Sequence, residues 1–279
     1  MDRAETLVAT EMEVGARSDT GCVRENNEDS YRAAPELNLF VLSDGMGGLD
    51  AGEVASRLAV DTILEHCRAA EANPSLPLSG EHIDGVSSAS NRLASAIRLA
   101  NAVVYRAAQQ ATGDRGMGAT VVAVRLADER MSVAHVGDSR IYRLRAGEFE
   151  QLTQDHSFVA EQVRKGKMTE EEAASSAMQN VLVRALGIDP TVEVDVSEEL
   201  VLEGDTVLLC SDGLSRELSD DQITSVLREY DDPQRAASRL VDLAKQAGGG
   251  DNVTVIVLRH ATKPTGAFAR IGKWFKNSA

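Results

Sequence analysis

Two short apolar runs in this chain stop at the same dipeptide. Leu37 to Ser43 (LNLFVLS) breaks off at Asp44-Gly45-Met46-Gly47-Gly48, and Thr206 to Cys210 (TVLLC) breaks off at Ser211-Asp212-Gly213. Runs this short and this apolar predict buried strands, and the glycine turns after them place an acid where each strand ends. A third aspartate, Asp251, lies between Gly248 and the final predicted strand, Val253 to Leu258. A fourth, in Gly137-Asp138-Ser139, interrupts β-rich stretches at Ala119 to Leu126, Met131 to Val136 and Arg140 to Leu144, which read as an antiparallel meander. If these strand ends share one edge, four carboxylates converge.

Helical patterns fill the intervals. Val54, Leu58 and Ile63 recur at helical spacing between Gly52 and about Cys67, and Leu93, Ile97, Ala100 and Val104 do so between Ser87 and Ala111. The proline-containing segment Glu71 to Gly85 reads as their connecting loop. Phe158 to Ala177 returns to helical composition, with Thr169 and Glu172 at capping-box spacing. Ser219 with Gln222 and Asp232 with Pro233 open two more helices, the last closing near Gly248. With 279 residues, 43% of them hydrophobic and only 4% aromatic, the chain can furnish an aliphatic core. No internal repeat is present, so the predicted class is a single α+β domain.

The net charge of −15 argues against a nucleic-acid partner, because phosphate backbones are held by clustered Lys and Arg. Acidity is compatible with hard divalent cations, which require oxygen ligands, but only position can distinguish ligands from a solvated surface. Cys22, Cys67 and Cys210 are odd in number and lack zinc-site spacing, which predicts a reducing compartment and a cytoplasmic location. No uninterrupted apolar run approaches the roughly 18 residues of a membrane-spanning helix.

Taken alone, an Asp-Gly pair is more often a turn than a ligand. Recurrence at strand ends favours metal binding, since Mg²⁺ and Mn²⁺ take carboxylates, a main-chain carbonyl and water in near-octahedral geometry. Eight strings then occur in order between about residues 13 and 260: SDTGCVRENNEDSY, FVLSDGMGG, GATVVAV, AHVGDSRIYRL, LTQDHS, NVLVRALG, GDTVLLCSDGL and GGGDNVTVIV. In these the chain resembles the type 2C metal-dependent protein serine/threonine phosphatases, in particular their compact bacterial members.

The resemblance implies a fold of two packed antiparallel β-sheets flanked by helices, with residues 13–260 as the phosphatase domain after an N-terminal extension, 1–12. It implies two Mn²⁺ or Mg²⁺ ions: Asp44 bridging both, Gly45 giving its carbonyl to one, and Asp212 and Asp251 holding the other. Asp29 matches a contact to metal-bound water, and Asp138 with Asp212 matches the ligands of a third, weaker metal. Arg24 matches the phosphate-binding arginine, whose planar fork can hold two phosphate oxygens. Asn252 is expected either to orient water or a ligand, or to cap a turn. The implied reaction is hydrolysis of phosphoserine and phosphothreonine by direct attack of a metal-bridging water or hydroxide, opposing Ser/Thr kinases. The alternatives are a non-catalytic phosphoprotein-binding regulator and a small-molecule phosphatase on the same fold.

Met46 stands where many eukaryotic members carry a histidine proposed as general acid, and a thioether has no such proton to give. His156, in QDHS, could replace it, but the string matches a structural turn before the flap segment Ser157 to Gln179. The tail 261–279 holds Lys263, Arg270, Lys273 and Lys276 and no acid; removing those four cations from a net charge of −15 leaves −19 on the rest. Phe268, Ile271, Trp274 and Phe275 would share one side of a basic amphipathic helix, suited to an anionic membrane surface or to a partner; a frayed terminus is the alternative. A monomer is expected.

Overall fold

The apolar runs are strands, and they are covered on both faces. The computed structural model describes residues 12–47, 51–110, 116–127 and 129–260. In chain order the elements are β1 (Met12–Asp19), β2 (Asp29–Ala34), a 3₁₀ turn (Pro35–Leu37), β3 (Leu39–Met46), α1 (Ala51–Ala72), α2 (Ser88–Gln110), β4 (Gly118–Ala119), β5 (Val121–Ala127), β6 (Arg130–Val136), β7 (Arg140–Arg145) and β8 (Glu148–Gln151). There follow α3 (Phe158–Arg164), α4 (Glu170–Ala174), β9 (Asp195–Leu200), β10 (Thr206–Cys210), α5 (Asp212–Ser215), α6 (Asp220–Glu229), α7 (Pro233–Ala247) and β11 (Val253–His260).

Two antiparallel sheets result, one ordered β1-β11-β10-β7-β8 and the other β2-β3-β5-β6-β9, with β4 paired to β3. Because side chains alternate across a strand, each central strand feeds two cores. Leu39 and Val41 of β3 and Val121 and Ala123 of β5 pack under α1 and α2. Their neighbours Phe40, Leu42, Val122 and Val124 meet Val207, Leu209, Ile256 and Leu258 of the other sheet between the two layers. Leu208, Cys210, Val255 and Val257 face α6 and α7. The order of layers is helix, sheet, sheet, helix.

The helix starts form as their spacing predicts. Thr169 with Glu172 and Ser219 with Gln222 make reciprocal capping boxes, and Asp232 caps the N–H groups of Gln234 and Arg235 ahead of Pro233. The helical composition from Phe158 to Ala177 resolves into two short helices, broken around Gly166, which takes φ +66°. β3 does not end at Ser43 but runs to Met46, so Asp44 and Gly45 belong to a paired strand and not to a flexible loop. The predicted tail 261–279 lies outside the described residues, as does the extension 1–12 apart from Met12, which opens β1. Among the described residues no helix is long and apolar enough to cross a membrane.

Leu42 is fully buried between the sheets. Leu42→Ala should cost about 2–5 kcal/mol of stability through lost burial plus the cavity left; a lower urea midpoint at unchanged m-value is the measurement that checks it.

Candidate metal centre

Strand register alone gathers the acids. Cys210 pairs with both Arg140 and Val255, so the end of β10 lies beside the starts of β7 and β11. Asp212 therefore stands next to Asp138, just before β7, and Asp251, just before β11. Asp29 pairs with Asp44 across β2 and β3, and Asp19 pairs with Val253, which brings the loop after β1, and Arg24 with it, to the same edge. Five carboxylates and an arginine, spread over 228 positions of sequence from 24 to 251, meet at one end of the sandwich.

Small polar residues hold each acid in place. The Asp44 N–H donates to Thr120 Oγ1 at 3.1 Å, the Thr120 N–H donates to the Asp44 carbonyl at 2.8 Å, and Thr120 Oγ1 lies 2.7 Å from Ser139 Oγ, beside Asp138. Ser211 Oγ donates to Asp29 Oδ2 at 2.8 Å. Gly45 is packed so tightly that an added Cβ would lie 2.0 Å from the Gly52 carbonyl oxygen, a close backbone approach that only glycine permits. Both amide protons of Asn252 are taken, by the carbonyls of Thr20 and Asn26, and its Oδ1 accepts from the Glu28 N–H at 2.8 Å. That geometry makes the Asn252 side chain the anchor of the loop carrying Arg24 and Asp29, while its main-chain N–H donates to Asp251 Oδ1 at 2.9 Å. Arg24 Nη2 donates to Asp251 Oδ2 at 2.9 Å from a side chain that is 51% exposed at the mouth of the site.

The acids are expensive neighbours. Burial pushes the Asp29 carboxyl up to about 7, with Asp212 and Asp251 adding to the rise against hydrogen bonds from Thr254 and Ser211. Burial, then Asp212, likewise lifts Asp138 to about 7 against the opposing charge of Arg216. Asp44 is raised well above the carboxylate range by burial and by all four other acids, and Asp212 is raised by burial and by Asp251. Arg216 partly offsets this charge: its guanidinium contacts Asp212, lies 3.4 Å from Asp138 and 3.9 Å from Asp251. Oδ1 of Asp29 and Oδ1 of Asp212 are buried without any hydrogen-bond partner. Clustered carboxylates with unpartnered buried oxygens fit hard divalent cations, which bind oxygen and cancel the repulsion.

Residues 23–246 match the family model of protein phosphatase 2C. The chain belongs to this family. Among protein phosphatase 2C relatives, the serine/threonine protein phosphatase PstP of Mycobacterium tuberculosis is 38% identical over 248 residues, covering 87% of this chain and 44% of PstP. The chain thus spans less than half the length of that relative. The serine/threonine phosphatase stp of Listeria innocua is 34% identical over 245 residues, covering 87% of this chain and 93% of stp. The crystal structure of the PstP catalytic domain in complex with two manganese ions superposes with a TM-score of 0.76 at 37% identity, covering 90% of this chain and 99% of that one.

All the acids singled out from sequence reach the centre of this protein phosphatase 2C domain, and so does Arg24. Arg216, Ser211 and Thr120 were missed. Arg216 had a readable signal, since it stands four residues after Asp212, at the C-cap of the short helix α5, where i and i+4 side chains meet. The hydroxyls of Ser211 and Thr120 had none, because their partners lie on other strands.

The raised carboxyls set the sign of a pH effect. Between the ordinary value of 3.8 and about 7 the folded, metal-free chain binds more protons at Asp29 and Asp138 than the unfolded chain does. Their contribution to stability is therefore full below pH 3.8 and lost as pH rises through 7. The melting temperature of chelator-treated protein should fall between about pH 5.5 and pH 8, fall further in Arg216→Ala, and recover on adding Mn²⁺; a flat profile in both proteins would refute this electrostatic account.

Proposed function

We propose that this chain is a metal-dependent protein phosphatase that hydrolyses phosphoserine and phosphothreonine in phosphoproteins, opposing Ser/Thr kinases in the cytoplasm. The observation that carries the reading is the gathering of Asp29, Asp44, Asp138, Asp212 and Asp251 at one edge of the sandwich, with Gly45 next to Asp44 and Arg24 at the mouth. Membership of the protein phosphatase 2C family and the two manganese ions of the PstP catalytic domain support it. Three unpaired cysteines agree with a reducing compartment.

In this reading Asp44, Asp212, Asp251 and the Gly45 carbonyl would hold two Mn²⁺ or Mg²⁺ ions, Asp138 with Asp212 would hold a third, and Asp29 would bind water beside them. Divalent cations there supply a water acidified toward neutral pH and a counter-charge to the phosphate. The chain supplies position. Arg24, on the loop tethered by Asn252, can leave Asp251 for two phosphate oxygens and keep the ester in line for attack. Ser211 fixes Oδ2 of Asp29 and leaves Oδ1 buried without a competing partner. Neither candidate side chain donates the leaving-group proton: Met46 has none, and His156 is 2% exposed with both ring nitrogens engaged. In this reading a water at the site would supply that proton.

A phosphothreonine peptide incubated with the purified chain and Mn²⁺ should release phosphate, and a chelator should stop it. Asp212→Asn should lower kcat by about 10³-fold or more, the scale of removing a central electrostatic group, with the fold retained by circular dichroism. Release that survives chelation would sink the proposal; much faster hydrolysis of phosphorylated metabolites than of phosphopeptides would move it to the small-molecule reading.

A further inference from the structure

Behind the acid cluster lies a second polar group that the proposed reaction does not use. His135 on β6, His156 in the QDHS turn and Asp195 on β9 bring potential ligand atoms within 4.8 Å of one another. They do not form a metal site. The two imidazole rings are stacked, with centroids 4.7 Å apart and planes 18° from parallel, so their in-plane lone pairs cannot meet at one ion. Each polar atom concerned is instead engaged with a neighbour of its own.

Those neighbours single out His156. Its main-chain N–H donates to the Gly137 carbonyl at 2.9 Å, and the Gly137 N–H donates back to the ring at Nδ1, 3.1 Å away. A neutral imidazole carries one N–H, so a ring that accepts at Nδ1 must bear its proton on Nε2. Nε2 faces Asp195 Oδ2 at 3.2 Å, which takes that proton as a hydrogen bond. Arg184 Nη1 donates to Asp195 Oδ1 and also lies 3.1 Å from Nε2, but with the Gly137 N–H donating to Nδ1 it is Nε2 that carries the ring proton. The His156 carbonyl accepts from Val183 at 2.9 Å. Asp138 is thereby held from both sides, at Gly137 by this ring and at Ser139 by Thr120.

We propose that His156 is a positioning residue for Asp138: its Nδ1 lone pair fixes the Gly137 N–H, and Asp195 keeps that lone pair available by accepting the Nε2 proton. The inference rests on the reading of Asp138 as a ligand of the third, weaker metal. Outer groups that orient a ligand change metal affinity by about 10–100-fold when lost. Asparagine and glutamine separate the two halves of the ring, since Asn Oδ1 falls near the position of Nδ1 and the Gln amide nitrogen near that of Nε2.

The test is Mn²⁺ binding to the full chain, followed by titration calorimetry and by the electron paramagnetic resonance signal of free Mn²⁺, with the Mn²⁺ activation of peptide hydrolysis as a second readout. His156→Gln should weaken the weakest Mn²⁺ site about tenfold, and His156→Asn should restore it to within about threefold of wild type. Asp195→Ala should weaken it too, because Arg184 is then the remaining partner for Nε2 and favours the tautomer that points Nδ1–H at the Gly137 N–H. A folded His156→Gln with wild-type binding, or an equal loss in His156→Asn, overturns the inference. Should His156→Gln not fold, Asp195→Ala decides: weakened binding supports the inference and unchanged binding overturns it. Asp138→Asn separates the two levels. If it leaves Mn²⁺ binding unchanged, the ligand reading fails and the inference with it; if it weakens binding while the folded His156→Gln and Asp195→Ala do not, only the inference fails.

Discussion

Mutual repulsion among five clustered carboxylates, buried or half-buried, is the constraint on which the rest of this structure turns. Burial and like charge both disfavour ionised acids; together they lift Asp29, Asp44 and Asp138 well out of the ordinary carboxylate range and raise Asp212 against the opposing charge of Arg216. A chain can tolerate such a cluster only if its framework is strong elsewhere and if something cationic answers it. Here the framework is an inter-sheet core of fully buried aliphatics, and Arg216 is the resident cation that touches three of the acids. Two buried carboxylate oxygens remain without partners, and cations are the chemistry that suits them.

Placement of the acids depends on short hydroxyl and amide contacts that cross from one segment to another. Thr120 joins Asp44 to Ser139, Ser211 joins Asp29 to β11 through the Thr254 N–H, and Asn252 ties down the loop of residues 20–28. The acids thus ride on paired strands and pinned turns. A site on such rigid supports keeps its geometry before any ligand arrives, which is the condition for electrostatic catalysis without reorganisation.

The strands legible in the sequence were those covered on both faces, and the ones that escaped were the edges. β3, β5, β6, β7, β10 and β11 lie inside the sheets, and their aliphatic content announces burial. β1, β2, β8 and β9 are the four outermost strands, with sequences such as MEVGARSD and DVSEEL that hold charges toward water. A strand that is half exposed at a sheet edge loses the continuous apolar signal, and charge there also discourages pairing with other chains. For the same reason Asp44 reads as a loop residue in sequence: its pairing with Asp29 and the crossing of Gly45 by the Gly52 carbonyl depend on partners far along the chain.

By itself the sequence determined the buried strands, the capped helices, the family strings and every acid of the centre, because each of these is written in local composition or in a short motif. Tertiary structure alone decided that Arg216 would bridge three acids, that Asn252 would spend its amide on main chain, and that His156 would stand behind Asp138 with its ring nitrogens engaged. Those outcomes depend on which strand ends meet, and strand order is set by packing two sheets face to face, not by any local stretch of residues.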